Sequence, residues 1–237
     1  MSIRITSIEE LAEKIDTDIQ WRKKEIADIR LYAQNLGNPA VVLRCAFVLC
    51  CAHFEGAIKY ASNAYIAYIS SQEIKGKDLR IEITSIAVRK KKHQFFANPN
   101  TKKVRISVVS DVLKSFDEML EKNFFIKLNE DDLVPELDED DLPLPTEGNP
   151  SPEVLSEISA ILGIDYEHLF QLREPFINAE LLKPRHSVAH GEKRQISIQE
   201  LDEVSEFVLE SIDAYKDSIL DAAKSNRHLR LTKRNDH

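Results

Sequence analysis

The pattern of apolar and polar residues predicts α-helices along most of the chain. Apolar side chains recur at helical spacing over residues 8–36, behind a capping box that begins at Ser7, and residues 37–39 (GNP) then form a stop and a turn. A second helix is predicted over about residues 40–70. Because this helix is apolar nearly all round, we expect it at the centre of a helical bundle.

The same periodicity predicts further helices in the second half of the chain. They cover about residues 111–123, 152–163 and 166–183, and the first turn of the second contains a tolerated proline. A capping box at Ser197 opens a long amphipathic helix over about residues 201–219. Six glycines in 237 residues also favour helices over a turn-rich β architecture. We therefore predict an all-α fold in one domain spanning residues 1–237.

The helical pattern weakens in a segment of about forty residues, 71–110. Residues 80–83 (RIEI) and 104–108 (VRISV) alternate like short strands. The prediction is a helical bundle with a small basic insertion that contains a β-hairpin.

Charge is unevenly distributed along the chain. The formal net charge is −8, and residues 130–141 alone contain eight acids and no base. The rest of the chain therefore has a formal net charge of zero. Residues 129–152 also contain five prolines, which predicts an acidic, mobile loop. Residues 224–237 are basic and predict a frayed tail. The net negative charge of the whole chain therefore does not indicate which kind of molecule its folded part binds.

The sequence predicts neither a secreted nor a membrane-spanning protein. Cys45, Cys50 and Cys51 lie in one apolar run, and an odd number without framework spacing predicts buried, reduced thiols. The first residues lead directly into a charged helical pattern, so we expect no signal peptide, and charged residues interrupt the most apolar stretch, residues 41–69. We expect a cytoplasmic protein without a membrane partner.

A basic segment lies in the inserted region. Lys90, Lys91 and Lys92 are followed by Phe95, and no acid occurs between Glu82 and Asp111. Such a segment binds a nucleic-acid backbone through its lysines while an aromatic ring stacks on a base. A solvated run of charge is an equally good interpretation.

The side chains best suited to catalysis are concentrated in residues 185–191 (RHSVAHG). Histidine transfers protons near neutral pH, and arginine offers a planar set of donors to a phosphate. Positions five apart differ by about 140° around an ideal helix, so Arg185 and His190 do not automatically share a face, whereas His186 and His190 do. Two alternatives remain: a polar helix end, or a zinc site, which lacks evident third and fourth ligands.

Residues 185–191 resemble the catalytic signature of the HEPN superfamily, which is arginine, a polar residue, three further residues and histidine. Residues 21–26 (WRKKEI) and 51–59 (CAHFEGAIK) resemble its RiboL-PSP branch, and the three blocks occur in the expected order. Pro184, immediately before the arginine, departs from the pattern and predicts a kink or a helix start there.

The resemblance implies a homodimeric helical bundle that cuts RNA without metal or cofactor. Attack of the ribose 2′-hydroxyl on the adjacent phosphate would then use His190 as general base or acid and Arg185 as phosphate ligand. His186 would orient the site, contact RNA or be merely structural. Many members of the superfamily are toxins or effectors in toxin–antitoxin and phage-defence systems, so an antitoxin or defence partner is expected.

Two acids and one histidine complete the candidates. Glu25 and Glu55 are either partners that support the site or ordinary polar residues between packed helices. His53 lies on an apolar helix and is expected to be a core histidine. The alternative function is a non-catalytic HEPN-like subunit of a defence complex, which binds RNA or protein without cutting.

Overall fold

The computed structural model describes residues 4–35, 40–90, 106–126, 128, 144 and 150–231. These residues are helical apart from connecting turns and two isolated β-bridges, and they contain no β-sheet. The all-α prediction is therefore confirmed. The helices are α1 (Ile8–Asn35), α2 (Ala40–Ser71), α3 (Ile81–Lys90), α4 (Ile106–Glu121), α5 (Pro152–Leu162), α6 (residues 174–189) and α7 (Ile198–Lys224).

Three long helices, α1, α2 and α7, form the core of the molecule. Ion pairs tie α1 to α7 in antiparallel order, because residue numbers rise along one helix as they fall along the other. These pairs are Asp16–Lys216 at 2.9 Å, Lys23–Asp213 at 2.6 Å and Arg30–Asp202 at 2.8 Å. Between α2 and α7, hydrogen bonds join Cys50 to Ser205 and Ser62 to Tyr215, so these two helices run parallel.

Helix α2 is the central element, as its apolar pattern predicts. From Phe54 to Ile69 it is buried almost without interruption, against α1 on one side and α7 on another. Among the described helices, it alone is long and apolar enough to cross a membrane. The core helix of a bundle meets the same test, and most of this apolar stretch is buried inside the protein.

Helix ends follow the signals in the sequence. The Ser7 hydroxyl accepts the N–H of Glu10 at the start of α1, and Ser197 and Glu200 form a complete capping box at the start of α7. Ser151 caps α5, which ends at Gly163 with φ +73°. Glycine adopts this left-handed conformation without the steric penalty of a Cβ.

The β-hairpin predicted in residues 71–110 is wrong for its described part. Helix α3 begins at Ile81 and α4 begins at Ile106, where short strands were expected. The buried residues Ile83 and Ile86, with half-buried Ala87, have the i, i+3, i+4 spacing of a helix face. Alternation over four residues was too short a window to distinguish the two periods.

Two further expectations need correction. Residues 225–231 are not frayed: Leu229 is buried and bridges Leu79, and the Arg230 side chain donates to the Leu79 carbonyl at 2.9 Å. Cys45 is exposed, whereas Cys50 and Cys51 are buried free thiols, and burial raises the pKa of both. The acidic loop falls outside the described residues except for a few positions, of which Leu144 and Pro150 are buried.

Candidate active site

The motif occupies the last part of α6, a helix that the sequence does not predict in this form. The single helix expected over residues 166–183 is broken into the short turns Tyr166–Leu169 and Gln171–Arg173, after which α6 begins. Within α6, an α-helical start (Glu174–Phe176) leads into a π-helical turn (Ile177–Leu182) and then into α-helix (Lys183–Ala189).

The π-helical turn explains how the helix continues through Pro184. In an α-helix, a proline ring collides with the carbonyl four residues before it, and its missing N–H leaves that carbonyl without a donor. Here the preceding turn is wider, because the Lys183 N–H donates to the Asn178 carbonyl five residues back. Pro184 is buried and lies in the first turn of the final α-helical part. The proline therefore neither ends the helix nor starts a new one.

The glycine of the motif ends α6. Gly191 has φ +77°, and its N–H donates to the Val188 carbonyl at 3.1 Å while the Glu192 N–H donates to the Ser187 carbonyl at 2.9 Å. This is the expected role of a glycine just past a helix C-terminus. A Cβ added at Gly191 would meet no atom within 4 Å. His190 thus occupies the C-cap position immediately after α6, beside an open surface.

The two histidines form a pair on the exposed side of α6. His186 and His190 are one helical turn apart, and their ring centroids lie 4.2 Å from each other with an angle of 56° between the planes. Both residues are exposed to solvent. They share a face as their spacing predicts, and they are accessible to a large substrate.

Arg185 points towards the core instead. Its Nη2 donates to Oε2 of Glu55 on α2 at 3.1 Å, and the side chains are 22% and 11% exposed. The other oxygen, Oε1, lies 2.9 Å from Nζ of Lys59, one turn further along α2. Glu55 therefore contacts both cations, and the arginine of the motif is anchored through this partly buried carboxylate.

The anchoring residues form a ridge on α2. Cys51, Glu55 and Lys59 are spaced four apart, so they lie along one side of the helix. The Cys51 thiol approaches the Leu181 carbonyl in the π-helical turn at 3.9 Å. Because Cys51 meets residue 181 and Glu55 meets residue 185, α2 and α6 run parallel here. This register brings Glu55 to the arginine of the motif.

A second network joins the other two sequence blocks that resemble the RiboL-PSP branch. Arg22 is buried and binds Asp18 through two contacts, Nε–Oδ2 at 2.7 Å and Nη2–Oδ1 at 2.9 Å. Its guanidinium lies 4.5 Å from the centre of the Trp21 ring, a cation–π distance. Gly56 on α2 leaves space for Arg22, because a Cβ there would collide with the guanidinium.

Glu25 belongs to this second network. Its Oε2 lies 2.9 Å from Nε2 of His53, whose ring meets the edge of Trp21 with centroids 5.2 Å apart. His53 is buried, as expected of a core histidine, and burial together with the nearby Arg22 charge lowers its pKa below the ordinary value. The structure therefore places Glu55 at the motif and Glu25 at His53.

The other predicted site residues lie at or beyond the limits of the described chain. Lys90 is the last residue of α3, while Lys91, Lys92 and Phe95 fall outside the described residues. Lys59 was missed, although its spacing of four from Glu55 was a usable signal for an ion pair. Asp18 was also missed, and it has the same spacing from Arg22.

The described residues provide neither a metal-binding cluster nor a link between the motif and the cleft near the end of α2. Among the described residues, no three or more His, Cys, Asp or Glu side chains are grouped to hold a metal ion. A cleft of about 690 Å³ opens near the C-terminal end of α2, with Tyr68, Lys75, Asn123 and His228 in its wall. Its lining contains no residue of the motif.

Comparison with known proteins agrees with the all-α fold. A family model described as RiboL-PSP-HEPN matches residues 17–221, a range that contains most of α1, all of α2 and the whole motif. No curated protein and no solved structure matches the chain. The match extends over more than half of the sequence, so the chain belongs to the RiboL-PSP-HEPN family.

Proposed function

We propose that this protein is an endoribonuclease that cuts RNA by transesterification at the surface formed by the C-terminal end of α6. Family membership supports a role in RNA cleavage or RNA binding. The main support for the proposal is that the side chains of the motif have different environments. Arg185 is held by Glu55, while His186 and His190 are paired and exposed.

Arg185 supplies the charge that the reaction needs. A guanidinium remains protonated and donates to two phosphate oxygens, which stabilises the charge that develops on them in the transition state. A fixed arginine does this without reorganising when substrate binds. The contact with Glu55 supports this role, because it restrains a side chain that would otherwise be flexible.

His190 is the proposed proton-transfer residue. RNA contributes its own nucleophile, so the protein needs to remove the 2′-hydroxyl proton and protonate the departing 5′-oxygen. A histidine in such a position accelerates the reaction about 10²–10⁴-fold. His186, whose ring centroid lies 4.2 Å from that of His190, is proposed to orient its ring or to contact RNA.

The proposed active unit is a homodimer. One motif supplies one arginine and one terminal histidine, whereas the reaction needs proton transfer on both sides of the phosphate. Two motifs near a two-fold axis supply both sets, because a C2 interface brings the same surface of each copy together. Arg185→Ala and His190→Ala chains refolded together should regain activity that each lacks alone. A monomer at working concentration that still cuts RNA would rule out the shared site.

The proposed biological role is that of a toxin or effector in toxin–antitoxin or phage defence, acting in the cytoplasm under the control of a partner protein. Support for this role comes from the family alone. Expression of the active protein should slow growth, and His190→Ala should relieve the defect. Normal growth with a demonstrably active enzyme would count against a toxin.

The test of the proposed chemistry uses purified protein and mixed RNA in excess EDTA. We expect cleavage products with 2′,3′-cyclic phosphate ends, and no products with His190→Ala. Activity that disappears in EDTA and returns with a divalent ion would overturn the metal-independent mechanism.

The second candidate is a module that binds RNA or protein without cutting. The ion pair between Arg185 and Glu55 fits this candidate as well, because an arginine with a purely structural role would have the same carboxylate partner. In that case the wild-type protein would retain RNA on a filter and release it intact, and His190→Ala would bind equally well.

A further inference from the structure

Lys59 is a buried cation at the base of the motif. Its side chain is 9% exposed, and its Nζ lies 2.9 Å from Oε1 of Glu55. Lysine is rarely buried to this extent, because its ammonium loses strong hydration. A buried lysine therefore needs a compensating carboxylate, and here that carboxylate is the one that anchors Arg185.

The two oxygens of Glu55 serve different partners. Oε1 meets Lys59 on the same helix, and Oε2 accepts from Nη2 of Arg185 on α6. A carboxylate held at one oxygen by its own helix has a fixed plane, so the direction in which its second oxygen points is also fixed. Lys59 thereby affects Arg185 although the two cations are on different helices.

The ammonium of Lys59 also affects the electrostatics of the contact. It lies 2.9 Å from Oε1 of Glu55 and offsets part of the negative charge that this carboxylate brings to Arg185.

We propose that Lys59 is a positioning residue of the ribonuclease site: through Oε1 of Glu55 it holds Oε2 on Arg185. The proposal rests on the proposed function, since it assigns Lys59 to the reaction in which Arg185 binds phosphate. Lys59 itself does not touch the reacting atoms.

A series of substitutions separates charge from volume. Lys59→Met keeps the length and apolar stem but removes the ammonium, and Lys59→Arg keeps the charge and the hydrogen bond. We expect Lys59→Met to lower kcat about 100-fold with a smaller change in KM, because the arginine acts mainly on the transition state. Lys59→Arg should recover most of that activity. Lys216→Met is the matched control, since Lys216 is 21% exposed and pairs with Asp16 away from the motif.

A second measurement does not depend on cleavage. The Nε–H signal of Arg185 in ¹⁵N NMR spectra, assigned by its loss in Arg185→Lys, reports how firmly the guanidinium is held. It should be sharp in the wild type and in Lys59→Arg, and broadened in Lys59→Met. Thermal melting of each variant identifies any that fails to fold.

The outcomes distinguish the two proposals. If wild-type protein cuts RNA and folded Lys59→Met cuts it equally fast, the role of Lys59 is refuted and the ribonuclease stands. If wild-type protein cuts no RNA, the ribonuclease fails, and the NMR signal then decides whether Lys59 positions Arg185. An unchanged Arg185 signal in Lys59→Met would refute that positioning in either case.

Discussion

Arg185 and Glu55, 130 positions apart in the sequence, meet across 3.1 Å between α6 and α2. This contact joins the block of residues 51–59 to the motif, so two sequence features that resemble one family become one site in space. It also divides the motif into an anchored arginine and two exposed histidines. The proposed ribonuclease activity depends on that division.

Removing the anchor should reduce both stability and activity. Glu55→Gln removes the carboxylate charge that contacts buried Lys59 at 2.9 Å, so we expect the free energy of unfolding to fall by about 3 kcal/mol. RNA cleavage should fall more than tenfold, since a loosely held arginine is displaced from the phosphate. Urea denaturation and initial rates measure the two effects. Adding Lys59→Met to Glu55→Gln should restore much of the stability but not the activity, and a double variant less stable than the single one would contradict this account.

Arg185→Ala should be inactive and yet well folded. Glu55 keeps Lys59 as a partner in this variant, and Arg185 is partly exposed, so we expect a loss of only about 1–2 kcal/mol. His190→Ala should be still closer to the wild type in stability, because His190 is exposed at the helix end. Circular dichroism and melting curves provide the check. An unfolded Arg185→Ala would mean that this arginine is structural.

Gly56→Ala should destabilise the second network. The added methyl group would displace the Arg22 guanidinium from Asp18, and we expect a loss of about 3 kcal/mol or more. In an Arg22→Met background the same substitution should have little effect, because the obstructing group is gone. This double-mutant cycle isolates the contact. Equal losses in both backgrounds would show that Gly56 is required for another reason.

Burial of His53 predicts a pH-dependent stability. Its folded pKa lies below the ordinary value of 6.5, so unfolded chains bind a proton in a range where folded ones do not. The free energy of unfolding should therefore fall as pH drops below about 6.5, and the fall from this group should stop below its folded pKa. Well above 6.5 the histidine is neutral in both states and contributes no slope. His53→Gln should remove this part of the profile, and a profile parallel to that of the wild type would refute the assignment.

Much of the helical architecture could be predicted because its signals are local. The capping residues Ser151 and Ser197, and the glycine ends at Gly163 and Gly191, act within one turn of the chain, so their patterns are visible in the sequence. The short strand expected at residues 80–83 was wrong because its signal came from too few residues. Four residues contain too little of either period to exclude the other.

The site was only partly predictable, since its geometry depends on contacts between distant segments. The spacing within residues 185–191 indicated that the two histidines share a face and that the arginine need not. The sequence did not reveal the π-helical turn Ile177–Leu182, because wide turns have no compositional signature comparable to a cap. The choice between Glu25 and Glu55 as a partner of the motif also depended on the register between α2 and α6.

The most direct test of the central claim uses a short RNA with one mapped cleavage site and the same RNA with a single 2′-deoxy nucleotide immediately 5′ of the scissile phosphate. The claim is that the 2′-hydroxyl of the substrate is the nucleophile and that Arg185 and His190 assist it. We predict that wild-type protein converts the unmodified RNA to a 2′,3′-cyclic phosphate product and leaves the deoxy linkage intact, with all other features of the strand unchanged. Cleavage of the deoxy linkage at an equal rate would contradict the account.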